Sequence, residues 1–461
     1  MQFLSHVEDG SGRAFPMVST LVYKLHDPTS LDIEVLLLGN EDERRAALIY
    51  LSRPPYYNQI WLHSNEPRFS SVEVLGIHRV SNREYRVSYG ASEVQIGLDH
   101  GAREHETIWF FKAELTPSGI LEAVGTKQFS YTGDIKVEPL ESSKVEVSSV
   151  FGTLEASERY AHFEDEEYAN KVTHSVQRAS ITGLIKIPPR ETISQVNDAL
   201  TREISDICTI LSFCYRQPVT FYEMQYITDP NSTARELMHT ATVRRRLHEQ
   251  QRKIRDDELI DRDNLANSGL NELLSKYRAS PHLEELRRTM RFLAASYKVT
   301  TLESSYFLAY SALDLITSAV RGEDVFLMDN ARWRRLQKRL REFIDNIAVS
   351  EGLTPIVTQL KEKLPELRRT SGVNRVIKAC EQLSITTSDL WRKDGFEAGL
   401  RATTKIRDSL FHAASLGQVD EMWVNLIRIR VLVERLVLAL LEWPDDRTWV
   451  WRNQQLARIR Q

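Results

Sequence analysis

The sequence predicts a multidomain α+β protein, with an antiparallel β sandwich or barrel first and an all-helical bundle after it. Three observations carry that expectation. Alternating apolar and polar residues run through the first part of the chain, a proline pair ends the alternation, and helical steps of three and four then continue toward the C-terminus. The expected boundaries are 1–188 for the β-rich domain, 189–280 for a helical connecting region with a short strand, and 281–461 for the helical domain.

In the β-rich part, Leu31 to Val35, Tyr85 to Tyr89 and Val94 to Leu98 alternate as strands with one buried face. Trp109-Phe110-Phe111 reads as a strand buried on both faces, and Val137, Val145 and Val147 continue the β character toward Val150. Turns are expected at Asp27-Pro28, Ser81-Asn82 and Thr132-Gly133-Asp134. Ile187-Pro188-Pro189 closes the region, because neither proline donates to a ladder and the pair resists a helix. Thr192 and Gln195 make a capping box for a helix carrying Ile204, Ile207, Leu211 and Cys214. A short strand, Val219 to Ile227, comes next. Residues 231–278 are highly charged and read as helices with exposed faces, Arg244-Arg245-Arg246 among them. Ser280-Pro281 reads as a cap followed by the first helical residue. Thr300 and Glu303 read as a second capping box, opening an apolar helix through Tyr306, Tyr310, Leu313 and Ile316. Only helices are expected beyond it.

Composition narrows the function classes. With 42% hydrophobic and 27% charged residues and a mean hydropathy of -0.36, the 461-residue chain has the make-up of a globular protein with two or three cores. It contains no run of about 18 uncharged apolar residues, so no membrane span is expected. Met1 to Gly10 carries Glu8 and Asp9 and lacks an apolar core, so no secretory signal is expected. Cys208, Cys214 and Cys380 form no CxxC pair and read as buried thiols in a reducing compartment, which points to the cytoplasm. Charge is uneven. Residues 1–190 hold 19 Lys+Arg against 27 Asp+Glu, net -8, which leaves 41 against 37, net +4, for residues 191–461.

The chemistry-bearing segment is Arg407-Asp408-Ser409-Leu410-Phe411-His412, in the mildly basic part. Arginine can fork onto a phosphate, and histidine moves protons near neutral pH. With 44 arginines and 12 histidines, about three Arg-x(4–6)-His matches arise by chance, so the spacing needs support from its surroundings. Ile406, Leu410 and Ala413 form an apolar stripe, which makes the segment a helix. Residues 407 and 412 then stand about 140° apart around the axis. Convergence on one phosphate needs a helix end near His412, with Gly417 as its terminator, or a second copy of the motif.

A second candidate is the helix from Arg332 to Ile347. Trp333, Leu336, Leu340, Phe343 and Ile347 form one apolar stripe, and Arg332, Arg334, Arg335, Lys338, Arg339 and Arg341 crowd its other faces. This is either a solvated helix face or an RNA-backbone contact in which Arg334, Lys338 and Arg341 touch phosphates. His100 and His105 lack further ligands at metal-site spacing, so neither a metal nor a cofactor is expected. Phosphate-loop, GxSxG and dinucleotide fingerprints are absent.

The motif resembles that of the HEPN superfamily, all-helical domains whose ribonuclease members carry R-x(4–6)-H. The likeness includes the polar Asp408 after the arginine, the small Ala413 after the histidine, the leucine-rich helix from Glu421 to Trp443, and the Tyr310-Ser311-Ala312-Leu313-Asp314-Leu315 segment upstream. It covers roughly residues 282–461. A β-rich region joined to such a domain is the layout of ApeA-like proteins of bacterial antiphage defence. The resemblance implies a metal-independent endoribonuclease in which Arg407 and His412 are the catalytic pair and Asp408 and Asp314 support them. It also implies RNA as substrate, structured RNA such as tRNA included, a homodimer through the helical domain, and a phage-derived trigger at the β-rich domain. Two rival functions are a non-catalytic scaffold that binds RNA or a partner protein, and a β-domain receptor with a helical oligomerisation module.

Overall fold

A computed structural model describes residues 2–8, 14–24, 27–52, 59–63, 71–83, 85–98, 106–120, 130–132, 134–136, 144–167, 170–228, 240–247, 258–321, 327–350, 356–368, 371–392, 395–412, 419–444 and 447–448. Val137, His100, His105, Ala413 and Gly417 lie outside them, as do the side chains of Phe411 and His412. Two compact units form. One comprises Met1–Leu211, Val219–Asp256 and Arg262–Leu274; the other comprises Ser212–Pro218, Asp257–Asp261 and Ser275–Gln461.

The first unit holds β1 (Gln2–Glu8), β2 (Ala14–Lys24), β3 (Asp27–Leu37), α1 (Glu41–Ser52), β4 (Gln59–His63), β5 (Ser71–Leu75), β6 (His78–Arg83), β7 (Arg86–Gly90) and β8 (Glu93–Ile96). It continues with β9 (Thr107–Thr116), β10 (Ser130–Thr132), β11 (Asp134–Lys136), β12 (Lys144–Ser149), β13 (Gly152–Glu167), β14 (Asn170–Ile187), α2 (Ile193–Cys214), β15 (Thr220–Thr228) and β16 (Thr240–Arg245). Among the described residues, fourteen strands make one antiparallel sheet, ordered β12-β13-β14-β9-β15-β16-β8-β5-β4-β1-β2-β3-β7-β6, while β10 and β11 pair separately. The expected antiparallel region followed by helices is therefore what folds.

Alternation explains the core. Phe3, Met17, Ile33, Val35, Val72, Val87 and Val94 come from six strands on both sides of β4, yet they share one buried cluster with Ala47 and Leu51 of α1. Strands that distant in the order can meet only if the sheet curls. Helix α1, which the β patterning concealed, is seated by Tyr89, whose hydroxyl donates to Leu51 O at 2.9 Å. Further along, Trp109, Phe111, Ala113 and Leu115 of β9 are buried on one face. Helix α2 lies on that face, held by Tyr226 Oη donating to Asn197 Oδ1 at 2.6 Å. Its start follows the expected capping box, Thr192 N donating to Gln195 Oε1 at 2.8 Å.

Several local expectations are displaced. Asp27 and Pro28 open β3 rather than form a turn. Ser81 and Asn82 sit inside β6, and the reversal falls between Arg83 and Arg86, where Tyr85 takes φ 65°. The charged segment expected to be helical contains strand β16. Arg244 is buried there and paired with Glu223, its neighbour across the ladder, so a partner on the next strand hides a charge that read as solvated. Tyr222 occupies a bulge in β15 and donates to Glu114 Oε2 at 3.0 Å, with Arg178 and Lys112 also on that carboxylate.

The second unit is helical. Its elements are α5 (Leu283–Lys298), α6 (Leu302–Arg321), α7 (Asn330–Ser350), α8 (Val357–Lys363) with a 3-10 extension over Leu364–Arg368, α9 (Gly372–Gln382), α10 (Phe396–His412) and α11 (Val419–Leu440). The first unit also contains α3 (Arg262–Asn264) and a π-helical stretch Leu265–Gly269, and α4 (Leu270–Ala279) is divided between the two units at Ser275. Pro281 precedes α5 instead of opening it, since Ser280 Oγ turns back to accept from His282 N at 3.2 Å. No helix among the described residues is long and apolar enough to cross a membrane.

Helix α11 is buried on all sides from Ile429 to Leu438, which includes Arg430, Glu434 and Arg435. Each charge has a built partner. Arg216 forks onto Glu434 at 2.7 and 2.8 Å, and Tyr297 of α5 donates to the same carboxylate at 2.6 Å. Arg435 forks onto Asp389 at 2.8 Å twice. Arg430 bonds Ser296 Oγ at 3.1 Å and lies over the Tyr297 ring. Burial, and then the adjacent Glu434 charge, holds the Tyr297 phenol neutral far above its ordinary range. Replacing Glu434 by Ala leaves Arg216 buried without its counter-ion, so urea unfolding should show a loss of about 3–5 kcal/mol.

Candidate active site

Three helices, α6, α10 and α11, and the turn at Trp391 build the region around the motif. Asn425 of α11 accepts from Trp391 Nε1 at 2.9 Å and from Thr403 Oγ1 of α10 at 3.2 Å. Trp391 packs so tightly on α10 that a Cβ at Gly399 would stand 2.1 Å from its ring. That contact explains a glycine in mid-helix, where alanine would otherwise be better by about 1 kcal/mol. Helix α6 is clamped to α10 by Tyr306 Oη donating to Thr403 O at 2.9 Å and by the Tyr310–Thr404 hydroxyl pair at 3.1 Å.

On this platform the Arg407 guanidinium lies 4.9 Å from the Tyr310 ring centroid, a cation–π contact. Its Nε is 3.1 Å from Asp408 Oδ1, close enough for an ion pair but off the N–H direction, so no hydrogen bond forms. The terminal nitrogens bond no described residue, and the side chain is 34% exposed. They are left to fork onto an anion. Asp408 is 54% exposed beside it. Burial raises the Tyr310 phenol, while its Thr404 bond and Arg407 pull it down, and it stays raised. Tyr310 therefore meets Arg407 as a neutral ring.

Arg407 also lines a cavity of about 450 Å³, together with Glu303, Tyr306, Phe307 and Leu410. The cavity lies between the start of α6 and the end of α10. His412 is the last described residue of α10, one turn beyond Asp408. Asp314 lies near Tyr310, and its charge helps to raise that phenol. It is one turn past Tyr310 on α6, and its carboxylate is committed to Arg375 Nη2 of α9 at 2.5 Å. Arg334, Lys338 and Arg341 are exposed on α7, and no described bond joins them to α10. The apolar stripe of α7 is only partly covered: Trp333 is buried, whereas Phe343 is 60% exposed.

Sequence reasoning placed Tyr306 and Tyr310 on an apolar stripe and missed their part in seating α10 and Arg407. Their hydroxyls were the available signal, because a buried tyrosine needs a hydrogen-bond partner. All three cysteines are buried. Burial pushes the Cys380 thiol up to about 12 and Cys214 higher still. Among the described residues, no group of three or more His, Cys, Asp or Glu is placed to hold a metal. No family model matches the chain, and no curated protein or solved structure is significantly similar to it.

The cation–π contact can be measured in a double-mutant cycle. Tyr310→Leu should cost more stability than Tyr310→Phe in urea unfolding. That excess should shrink by about 0.5–1 kcal/mol in an Arg407→Ala background.

Proposed function

We propose that the chain is a metal-independent endoribonuclease of the HEPN type, with Arg407 and His412 as its reacting pair. The observation that carries this reading is Arg407 itself, beside Tyr310 and Asp408 at the wall of a cavity, with its terminal nitrogens bonded to no described residue. His412 removes the proton of a ribose 2′-hydroxyl, and the 2′-oxygen attacks the neighbouring phosphorus. Arg407 stabilises the charge that develops on the phosphate oxygens. The bond to the 5′-oxygen then breaks, and the product carries a 2′,3′-cyclic phosphate. DNA lacks the attacking hydroxyl. A homodimer joined through the helical domain places two motifs at one cleft and supplies a second histidine to protonate the leaving oxygen. The enzyme acts in the cytoplasm on RNA, structured RNA such as tRNA included, in antiphage defence. The curled β-rich region, of sandwich or barrel type, senses a phage-derived trigger. Asp314 serves as a support for α9 rather than as a reacting group.

A second reading, a non-catalytic scaffold that binds RNA or a protein, is favoured by the partly uncovered apolar stripe of α7. Activity separates the two. His412→Ala and Arg407→Ala should each abolish cleavage of total RNA, with unfolding shifted by about 1 kcal/mol or less. The wild type should cut in EDTA, leave cyclic phosphate ends, and spare a substrate with one 2′-deoxy sugar at the cut. An active, folded His412→Ala protein rejects the assigned proton acceptor. Loss of activity on chelation rejects the metal-free chemistry, and cleavage of the deoxy substrate rejects the nucleophile.

The basic face of α7 has its own test. Changing Arg334, Lys338 and Arg341 to Glu should weaken RNA binding and flatten its salt dependence, read from affinities across a salt series. Unchanged affinity at low salt makes the face merely solvated.

A further inference from the structure

The cap of α6 falls one residue later than its sequence pattern implies. Thr301, not Thr300, is the capping residue: its Oγ1 accepts from Ser304 N at 3.3 Å and donates to Ser304 Oγ at 2.8 Å. Glu303 is thereby released from the capping role, and it bonds no described residue. Its carboxylate lines the same cavity as Arg407. Phe307, 45% exposed one turn further along α6, supplies an aromatic wall, and Leu308 and Leu410 supply apolar ones. At about 450 Å³ the cavity falls within the range of small-ligand sites.

These features describe a ligand with three parts: an anion for Arg407, a flat apolar body for Phe307, and hydrogen-bond donors for Glu303. A nucleotide has all three. We propose that the cavity is a base subsite for an unstacked guanine next to the phosphate that Arg407 holds. The choice of guanine follows from the carboxylate, which only accepts and does so through two adjacent oxygens. The Watson–Crick edge of guanine presents two adjacent donors, N1–H and the N2 amine. Adenine and cytosine offer a single amine beside an acceptor nitrogen that the carboxylate repels, and uracil offers one N–H between two carbonyls. Ser304 Oγ, which accepts from Thr301, retains its own hydrogen to donate to a base carbonyl. Stacking on Phe307 adds affinity without regard to base, as aromatic platforms do for single strands.

The subsite rests on the nuclease reading for its role in cleavage but not for its ability to bind. Titration calorimetry of the full chain with guanosine, adenosine, cytidine and uridine 3′-monophosphates tests it directly. Guanosine monophosphate should bind tightest, by about five- to 150-fold, the range of one bidentate base contact. Glu303→Gln should level the four nucleotides, and Phe307→Ala should weaken all of them while keeping their order. Equal affinities in the wild type, no binding of any of the four, or a guanine preference that survives Glu303→Gln each overturn the subsite. A guanine preference in binding together with intact RNA in cleavage assays upholds the subsite and sinks the nuclease. Cleavage without base preference, with equal nucleotide affinities, does the reverse.

Discussion

The helical unit depends on one requirement: α11 must be neutralised where it is buried. A carboxylate and two guanidinium groups on consecutive turns of a helix shut off from water would cost several kcal/mol each without partners. Glu434 therefore draws in Arg216 and Tyr297, Arg435 draws in Asp389, and Arg430 draws in Ser296. These contacts come from three separate stretches of chain. Satisfying them fixes α5, the Ser212–Pro218 segment and the turn at Asp389 around a single axis. The apolar residues of α11 supply the driving force for burial, while its charges decide which neighbours are admitted.

The candidate site inherits that order through a short chain of bonds. Asn425, still on α11, holds Trp391 and Thr403; Trp391 leaves room only for a glycine at 399; Thr403 and Thr404 receive the two tyrosine hydroxyls of α6. Arg407 comes one turn later on α10 and finds the Tyr310 face already in place. Preorganisation of this kind matters for a phosphate-binding arginine, because a long flexible side chain otherwise loses its rotamer freedom at the moment of binding. A cation resting on a ring has surrendered much of that freedom beforehand.

The antiparallel sheet manages charge by another route. Its apolar face beneath α2 is unremarkable in pattern, but Glu114, Glu223, Tyr222 and Arg244 are all buried. The bulge at Tyr222 makes this arrangement possible, since it inserts an extra residue opposite Glu114 and brings a phenol onto that carboxylate. Burial, and then Glu114, raise the Tyr222 phenol, so the group remains a donor. A strand crossing such a row carries arginines without exposing them.

What was legible in the sequence was periodic or local. Alternation over Leu31–Val35 and Val94–Leu98, the capping box at Thr192 and Gln195, the strand near Val219 and the apolar helix through Tyr306 and Tyr310 each depend on residues a few positions apart, and each was read correctly in kind. The spacing of Arg407 and Asp408 was likewise visible. What stayed hidden depends on partners distant in the chain. Arg244 reads as solvated until Glu223 stands beside it on the next strand, and the partner of Asp314, Arg375 on α9, lies 61 residues away in the chain. Glu303 reads as a cap until Thr301 and Ser304 claim that role, and Tyr310 reads as core until Arg407 settles on its ring. A charged side chain has a local pattern but no local fate: its energy is set by whichever opposite charge, ring or solvent the fold delivers to it, and only the tertiary structure makes that delivery.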